Sequence, residues 1–386
     1  MFRILTLNNI AKVGLDQLPA DRYQITSDAA DPHVMLVRSS SLHGREIPPS
    51  LLAVGRAGAG VNNIPLPEMT ARNVVVFNTP GANANAVKEL VLAGMLMASR
   101  NLPQAWAFAR GLEGSDEELH KAVEAGKKNF VGRELLGKSL AIIGLGAIGR
   151  LVGATAVAFG MRVVGYDPAL PEAATLPAGV KRVGALDEAI AGAHFVSVHV
   201  PINAKTRGLI GAEQLAQLAP GATVLNFSRE GIVDEAAMVA ALDAKRAHAY
   251  VSDFPVNATK NHPRCITLPH LGASTDEAEE NCAAMVVQQV HDYLENGNIR
   301  NSVNFPEVTL ARSTPHRVAV AHDSVVTRAA QVSEVLGQAG LNIQGMASGS
   351  RGELAYTLID VDGAVAEDVV AKVAGVEGVR RVRCLA

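Results

Sequence analysis

The fold is decided by residues 140–168, which read LAIIGLGAIGRLVGATAVAFGMRVVGYDP. A first apolar run is broken by three glycines, Gly144, Gly146 and Gly149. Ala-rich sequence that is typical of a helix follows, and a second apolar run leads to Asp167. The stretch therefore predicts a strand, a tight turn, a helix and a second strand.

Each glycine of the turn has its own mechanical role. Gly144 allows the tight turn, Gly146 lets the backbone approach a pyrophosphate, and Gly149 lets the helix pack closely on its strand. The helix that begins at Ala147 and Ile148 offers free N–H groups and the positive end of its dipole to phosphates. A glycine-rich turn is often only a turn, but its position between a strand and a helix favours a dinucleotide site.

Asp167 lies 18 residues after Gly149, at the end of the second strand. A carboxylate at this place can accept hydrogen bonds from both hydroxyls of an adenosine ribose, and it would repel a 2′-phosphate. The sequence therefore predicts NAD, rather than NADP, as the cofactor.

Length and charge exclude several classes of protein. The 386 residues are enough for two or three domains, and 48% hydrophobic residues are ample for buried cores. A formal net charge of −3 gives no general attraction to nucleic acid or to an acidic membrane. An anionic ligand must therefore be bound by a local cluster of basic residues.

The cysteines and the apolar runs bear on location. Cys265, Cys282 and Cys384 are widely spaced and form no C-x-x-C pair, which is typical of reduced thiols, and we predict no metal site. The longest strongly apolar stretch, 90–98, is too short to span a bilayer, and residues 1–10 lack the layout of a signal peptide. We expect a soluble cytoplasmic protein.

Residues 1 to about 100 alternate short apolar runs with turn and helix signals, which predicts a parallel sheet. Two of these runs end in basic loops, at Arg38 and at Arg56. Ligands of open α/β sheets lie beyond the carboxyl ends of the strands, so both arginines are candidates to hold an anionic substrate. The alternative is that each is only a solvated loop residue.

Four further segments of the chain have recognisable patterns. Residues 86–101 have helical spacing, 111–139 are charged and predict a surface connection, and 276–296 predict a helix long enough to return to the first domain. Beyond residue 301 the pattern β-α-β-β-α-β predicts an independent unit of binding or assembly.

Two strand ends after the glycine turn carry reactive side chains. Arg229 follows one buried strand and His270 follows another. Beside a nicotinamide, a guanidinium can grip a carboxylate in two hydrogen bonds, and an imidazole can accept and return a hydroxyl proton. Alternatively, Arg229 pairs with Glu230 or Asp234, and His270 only packs. Together the two residues favour hydride transfer between a secondary alcohol and a ketone.

At this point the sequence resembles a known family, the D-isomer-specific 2-hydroxyacid dehydrogenases, and within it the members that carry a C-terminal ACT domain. The resemblance covers nearly the whole chain. It rests on the segments 54–58 (VGRAG), 78–83 (NTPGAN), 144–149 (GLGAIG), 226–234 (NFSREGIVD), 269–275 (PHLGAST) and 350–360 (SRGELAYTLID).

The resemblance implies an α/β fold with two Rossmann-like, doubly wound parallel-sheet domains and a C-terminal ferredoxin-like (ACT) α+β domain. The substrate-binding domain would be discontinuous, comprising 1–98 and 285–303. The NAD-binding domain would comprise 99–284, and the ACT-like domain 315–386.

The implied reaction is the oxidation of 3-phospho-D-glycerate to 3-phosphohydroxypyruvate with NAD, the first step of the phosphorylated route to serine. Arg229 would bind the carboxylate and His270 would be the acid and base. The substrate-binding residues would be Arg38, Ser39, Arg56, Ala57, Gly58 and Asn83. The cofactor-binding residues would be Gly144, Gly146, Ala147, Ile148, Gly149, Asp167, His199, Val200, Pro201, Ser228, Asp253, which would face the nicotinamide amide, His270 and Gly272.

Two departures from the family pattern matter. Relatives carry a glutamate, hydrogen-bonded to the catalytic histidine, shortly after the segment that reads Asp-Phe-Pro here. Asn257 is the candidate to replace this glutamate. An amide at this place could orient His270 but could not stabilise its charged form. The first turn of the ACT-like unit, 321–328, lacks the usual Asn, Pro and Gly pattern. Feedback by L-serine or another amino acid is therefore a weaker expectation than assembly into a homodimer or homotetramer.

Two other functions remain open. The machinery would also suit a reductase of another 2-oxo acid, such as 2-oxoglutarate, hydroxypyruvate or glyoxylate. A transcriptional corepressor or NAD sensor could use the same fold without turnover. The presence of both Arg229 and His270 and the lack of a basic surface run argue against the second of these.

Overall fold

The computed structural model describes residues 1–386, and the chain divides into two compact units. The first unit comprises Met1–Asn83 and Asp276–Ala386, and the second comprises Ala84–Thr275. The parallel α/β architecture that the sequence predicted is confirmed in both.

The first unit begins with a five-stranded parallel sheet in the order β2-β1-β3-β4-β5. Its elements are β1 (Phe2–Thr6), α1 (Lys12–Leu15), β2 (Tyr23–Thr26), β3 (Val34–Val37), β4 (Ala53–Arg56), α2 (Leu66–Ala71) and β5 (Val75–Phe77). Strands β3 and β5 are buried along their whole length, as expected of a parallel sheet with both faces covered.

The second unit is built on a seven-stranded parallel sheet in the order β12-β11-β10-β9-β6-β7-β8. Its elements are α3 (Ala84–Ser99), α4 (Leu102–Arg110), α5 (Asp116–Gly126), a 3₁₀ turn (Lys127–Phe130), β6 (Ser139–Ile143), α6 (Ala147–Ala158), β7 (Arg162–Tyr166), β8 (Val180–Val183), α7 (Leu186–Ile190), β9 (Phe195–Val198), α8 (Ala212–Gln217), β10 (Ala222–Asn226), α9 (Glu235–Asp243), β11 (Ala247–Ser252) and β12 (Cys265–Thr267). The strand, turn, helix and strand predicted for 140–168 are β6, the glycine turn, α6 and β7.

The chain then returns to the first unit and ends in a four-stranded antiparallel sheet in the order β14-β15-β13-β16. The elements are α10 (Asp276–Asn296), β13 (His316–Asp323), α11 (Arg328–Gln338), β14 (Ile343–Arg351), β15 (Leu354–Val361), α12 (Glu367–Ala374) and β16 (Val379–Leu385). One face packs on α11 and α12, and the other shares a core with α10 and the parallel sheet of the first unit. All eight residues of β15 are buried as a result.

The units divide at other residues than the sequence predicted. Helix α3 was expected to belong to the first domain up to residue 98, but its apolar side chains share a core with Phe227 and Val251 of the second unit. The whole of α10 belongs to the first unit, since Ala283 and Val286 lie in its core. The C-terminal sheet also clusters with this unit rather than forming a third body.

Several elements were not predicted. The segment 111–139, expected as a surface connection, contains α5, which Ser115 and Glu118 begin with a reciprocal capping box. Strands β2 and β8 lie at the edges of their sheets and contain polar residues, so they lack the apolar run of a buried strand.

No helix combines the length and the apolar character that crossing a bilayer requires.

Candidate active site

The predicted cofactor and catalytic residues of the second unit follow neighbouring strands at one edge of its sheet. In the spatial order β12, β11, β10, β9, β6 and β7, the residues that follow each strand are His270, Asp253, Arg229, His199, Gly144 and Asp167. All the strands are parallel, so these residues lie at the carboxyl edge, where ligands of open α/β sheets bind.

The glycine turn has the geometry of a dinucleotide site. Gly144 has φ +100°, and a Cβ there would lie 2.5 Å from the carbonyl oxygen of His199. A Cβ on Gly149 would overlap the carbonyl oxygen of Gly144, so the start of α6 can approach the turn only with glycine here. The space beside Gly146 is open to 4 Å, which leaves room for phosphates at the start of α6. The turn therefore fits NAD.

Asp167 is fixed by backbone groups on both of its oxygens. Oδ2 accepts the N–H of Leu145 and Oδ1 accepts the N–H of Ala169, each at 2.9 Å. The residue is partly exposed, and a carboxylate has about four acceptor positions, so two remain for ribose hydroxyls. The carboxylate thus ties the glycine turn to the end of β7.

Hydrogen bonds join the loops after β9 and β10. Ser228 Oγ donates to the carbonyl of Val200 at 2.5 Å, and the N–H of His199 donates to the carbonyl of Ile143 at 2.7 Å. The His199 ring contacts Ser197 Oγ at 2.9 Å. Burial of the ring nitrogens lowers the pKa of His199 to about 4, so the ring is neutral at pH 7. The predicted cofactor role of Pro201, which follows Val200, stays a prediction.

The turn that carries Arg229 is fixed by a buried amide. Asn226, the last residue of β10, has no exposed surface. Its Oδ1 accepts the N–H of Ser228 at 3.1 Å, and its Nδ2 donates to the carbonyl of Arg229 at 2.9 Å. Sequence analysis assigned Asn226 no role, although a turn-forming residue at the end of an apolar strand was a usable signal.

The Arg229 guanidinium is desolvated and has no carboxylate partner. Nη1 donates to the carbonyl of Ser228 at 2.6 Å, no carboxylate lies within 4.0 Å, and burial lowers the pKa of the side chain. The alternative that it pairs with Glu230 or Asp234 is therefore wrong; Asp234 instead accepts the N–H of Ala237 at the start of α9. A half-buried guanidinium that lacks a carboxylate partner is suited to binding an anionic ligand.

Asp253 anchors the loop that carries His270. It is 1% exposed; Oδ1 accepts the N–H of Leu271 at 2.7 Å and Oδ2 that of Gly272 at 2.8 Å. Its carbonyl accepts the N–H of His270 at 3.1 Å. His270 has φ +55°, a conformation that side-chain-bearing residues adopt at a cost, and these bonds hold it there. The predicted contact between Asp253 and the nicotinamide amide stays a prediction.

The His270 side chain is exposed and hydrogen-bonds to no side chain. The Phe254 ring lies beside it, with centroids 5.0 Å apart and planes at 53°. Asn257, predicted to stand where relatives have a glutamate, lies exposed in a turn and makes no hydrogen bond to His270. The structure therefore does not bring this predicted pair together.

The loop that carries Arg38 in the first unit is held by a second amide that sequence analysis missed. Asn8, after β1, accepts the N–H groups of Arg38, Ser39 and Ser40 at 2.9, 3.1 and 3.0 Å. One side chain therefore fixes the first three residues of the loop after β3. The Arg38 guanidinium forms an ion pair with Glu279 of α10.

Arg56 lies against its own loop. Its Nε donates to the carbonyl of Arg38 at 3.1 Å, and a Cβ on Gly58 would occupy the position of its guanidinium. Ala57 is 6% exposed, and Oδ1 of Asn83 is buried without a hydrogen-bond partner. The predicted substrate-binding residues of this unit thus include two converging cations and an orphaned amide oxygen.

Comparison with known proteins identifies the family. The sequence model described as D-isomer specific 2-hydroxyacid dehydrogenase, NAD binding domain, matches residues 93–272. A protein of Methanocaldococcus jannaschii named D-3-phosphoglycerate dehydrogenase is 37% identical over 287 residues, and one of the same name from Bacillus subtilis is 34% identical over 350. These alignments cover 72% and 85% of this chain, and 53% and 64% of the relatives, so the chain spans less than two thirds of either.

A solved structure supports the fold. It is the NAD⁺-bound 3-phosphoglycerate dehydrogenase of Entamoeba histolytica, which is 24% identical, has a TM-score of 0.63, and aligns over 78% of this chain and 98% of its own. Over residues 93–272 the family match confirms the resemblance to the D-isomer specific 2-hydroxyacid dehydrogenases that the motifs indicated, and with it NAD as the cofactor. Residues 93–272 therefore carry the NAD-binding domain of the D-isomer specific 2-hydroxyacid dehydrogenase family.

Proposed function

We propose that the protein oxidises 3-phospho-D-glycerate to 3-phosphohydroxypyruvate with NAD, and that it serves the first step of serine synthesis in the cytoplasm. The observation that supports a dehydrogenase activity is the unpaired, desolvated guanidinium of Arg229. It lies at the sheet edge that also bears His270 and the dinucleotide turn. The names of the relatives support the phosphorylated substrate.

Residues of the glycine turn would hold NAD, which when bound would supply the acceptor for the hydride of the carbon that bears the substrate hydroxyl. His270 accepts the hydroxyl proton in that step and returns it in the reverse direction. Arg229 holds the carboxylate in two hydrogen bonds and polarises the neighbouring oxygen. Arg38 and Arg56 of the first unit bind the phosphate, which makes this unit the substrate-binding domain and the second unit the NAD-binding domain.

The test is NADH formation from NAD and 3-phospho-D-glycerate by the purified chain. Replacement His270→Ala should lower kcat by about 100-fold or more, since it removes the acid and base. His120→Ala is the matched control, because His120 is exposed on α5 and far in sequence from every predicted site residue. Full activity of the His270 variant, or no NADH from the wild type, would overturn the proposal.

A reductase of another 2-oxo acid is the second candidate, and one observation favours it: Arg38 is already paired with Glu279. Hydroxypyruvate, glyoxylate and 2-oxoglutarate with NADH complete the substrate panel. A kcat/KM higher for any of them than for the phosphorylated pair would assign that function instead. Binding of NAD without turnover of any acid would point to a sensor.

We propose that residues 316–385 form a ferredoxin-like ACT domain. Two helices on one face and the strand order β14-β15-β13-β16 support it. Its first turn is closed by an ion pair between Arg328 and Asp323, at 2.8 Å. This pair occupies the turn where an amino-acid effector was expected, so we expect millimolar L-serine to leave the rate unchanged; inhibition would assign the domain a regulatory role.

We also propose that the chain forms a homo-oligomer. Strand β14 lies at an edge of the C-terminal sheet, and its Ile343 and Met346 are 39% and 44% exposed. Long unpaired edge strands are surfaces that proteins usually cover. Light scattering should give a mass of two or four chains, and a monomer at micromolar concentration would contradict this assignment.

A further inference from the structure

One contact in the first unit opposes the role proposed for Arg38. The Arg38 guanidinium forms an ion pair with Glu279, the fourth residue of α10. The two side chains are 31% and 35% exposed, so the pair is partly hydrated. An ion pair of this exposure contributes little stability and can be opened by a competing anion.

The pair belongs to a small cluster of charges around the start of α10. Arg56 Nε donates to the carbonyl of Arg38, so the two arginines share one loop junction. Both guanidinia also act on the buried thiol of Cys282, one turn after Glu279: burial raises its pKa, and the charges of Arg56 and Arg38 partly oppose that rise. Two cations and one carboxylate therefore converge here, with a formal sum of +1.

We propose that Glu279 is a displaceable counter-ion of Arg38. The Glu279 carboxylate competes with the phosphate of the substrate for the Arg38 guanidinium, and this competition sets the selectivity of the site for dianionic acids. The inference rests on the proposed function and names a residue that the family comparison does not assign. A phosphate carries up to two charges and three acceptor oxygens, so it can replace a single carboxylate at the guanidinium.

The same pair explains how the site would treat smaller acids. A substrate whose tail is neutral has no group to exchange with Glu279, and it leaves the ion pair closed. Arg38 is then neutralised and gives no advantage to such a substrate. Glu279 is thus a positioning residue, which acts through Arg38 and touches no reacting atom.

The test is Glu279→Gln, with Glu280→Gln as the matched control. Both variants remove one negative charge from the same turn of α10, but Glu280 is exposed and has no ion-pair partner. For 3-phospho-D-glycerate we expect Glu279→Gln to lower KM about three- to fivefold with kcat unchanged, which matches the modest strength of an exposed pair. The control should change KM by less than about 1.5-fold, and KM for hydroxypyruvate should stay constant in both variants.

Binding of inorganic phosphate separates this inference from the proposed function. Calorimetry on the wild type and on Glu279→Gln needs no turnover, and the variant should bind phosphate about three- to fivefold more tightly. If the wild type fails to oxidise 3-phospho-D-glycerate but this difference persists, the proposed function falls and the role of Glu279 stands. Equal phosphate affinities, or a raised KM in Glu279→Gln, would overturn the role of Glu279 even in an active enzyme.

Discussion

At the scale of single residues, the site is held in a state that stability alone would not select. Arg229 is a desolvated cation whose only hydrogen-bond partner is a neighbouring carbonyl. Burying an unpaired charge is unfavourable, so the Arg229 side chain lowers the free energy of unfolding while serving the proposed function.

Replacement Arg229→Met should therefore separate the two properties. We expect kcat/KM to fall by about 100-fold or more, because a charged, two-pronged donor to the carboxylate is lost. The thermal midpoint should stay constant or rise, since a long apolar side chain fills the same space without a charge. A clear fall in the midpoint would show that the guanidinium supports the fold instead.

His199 gives a prediction about pH. Its pKa is lowered from 6.5 to about 4 by burial, so the folded protein binds this proton less readily than the unfolded chain does. The stability is therefore complete above pH 6.5 and is lost as the pH falls toward 4, by about 3 kcal/mol in total.

Urea unfolding at pH 7 and at pH 4.5 measures this loss. His199→Gln, which keeps a polar group toward Ser197, should lose about 2–3 kcal/mol less between the two pH values than the wild type. The control is His120→Gln, an exposed histidine whose replacement should leave the loss unchanged. An identical pH dependence in all three proteins would contradict the assignment.

The sequence was informative where one residue type alone satisfies a local constraint. The turn at Gly144 and the close approach at Gly149 admit no side chain, and both were predicted from spacing. It was uninformative for Asn8 and Glu279, whose partners come from a loop and a strand end distant in the chain. Such contacts depend on how the strands are ordered in the sheet, which spacing does not reveal.

At the scale of elements, the prediction was best for long segments with one strong period. Helix α10 has the bounds that the pattern predicted, whereas α4 was missed: all of its residues are at least partly exposed, so no buried face repeats along it. The loop after β12 shows the other limit. Its motif was recognised, but its anchor, Asp253, lies on the neighbouring strand end.

Replacement Asp253→Asn should loosen that loop. An amide presents one oxygen and one N–H₂ group where two N–H donors, of Leu271 and Gly272, need acceptors, so one donor loses its bond. We expect kcat to fall about 10- to 100-fold through misplacement of His270, and amide exchange of Leu271 and Gly272 to become faster. Asp243→Asn, an exposed carboxylate in the same unit, should change neither, and unaltered exchange in the Asp253 variant would contradict the anchoring role.

At the scale of the whole molecule, the C-terminal sheet is part of the first unit rather than an appended body. Its Tyr356 donates to the carbonyl of Gly297 at 2.7 Å, just after α10. Arg317 and Asp360, both without exposed side-chain surface, form an ion pair at 2.5 Å, and Arg317 also donates to the carbonyls of Asn296 and Leu310. The pair joins β13 and β15 to the end of α10 and to the segment that follows it.

This buried pair gives the last prediction. Burial by itself raises the pKa of Asp360, but bonds from Arg317 and Ser313 outweigh it and hold the pKa below its usual value. Asp360→Leu should destabilise the first unit by about 3–5 kcal/mol, because the Arg317 charge stays buried without a partner, whereas the double variant Arg317→Met/Asp360→Leu should be close to the wild type. Urea unfolding followed by exchange of the β1 and β3 amides measures both effects.

The same pair predicts a pH dependence. Because the folded pKa of Asp360 is depressed, the wild type should lose the stability that the ion pair contributes only as the pH falls below about 4, and the double variant should show no such loss. A single variant that leaves β1 and β3 as protected as before would show instead that the C-terminal sheet unfolds independently.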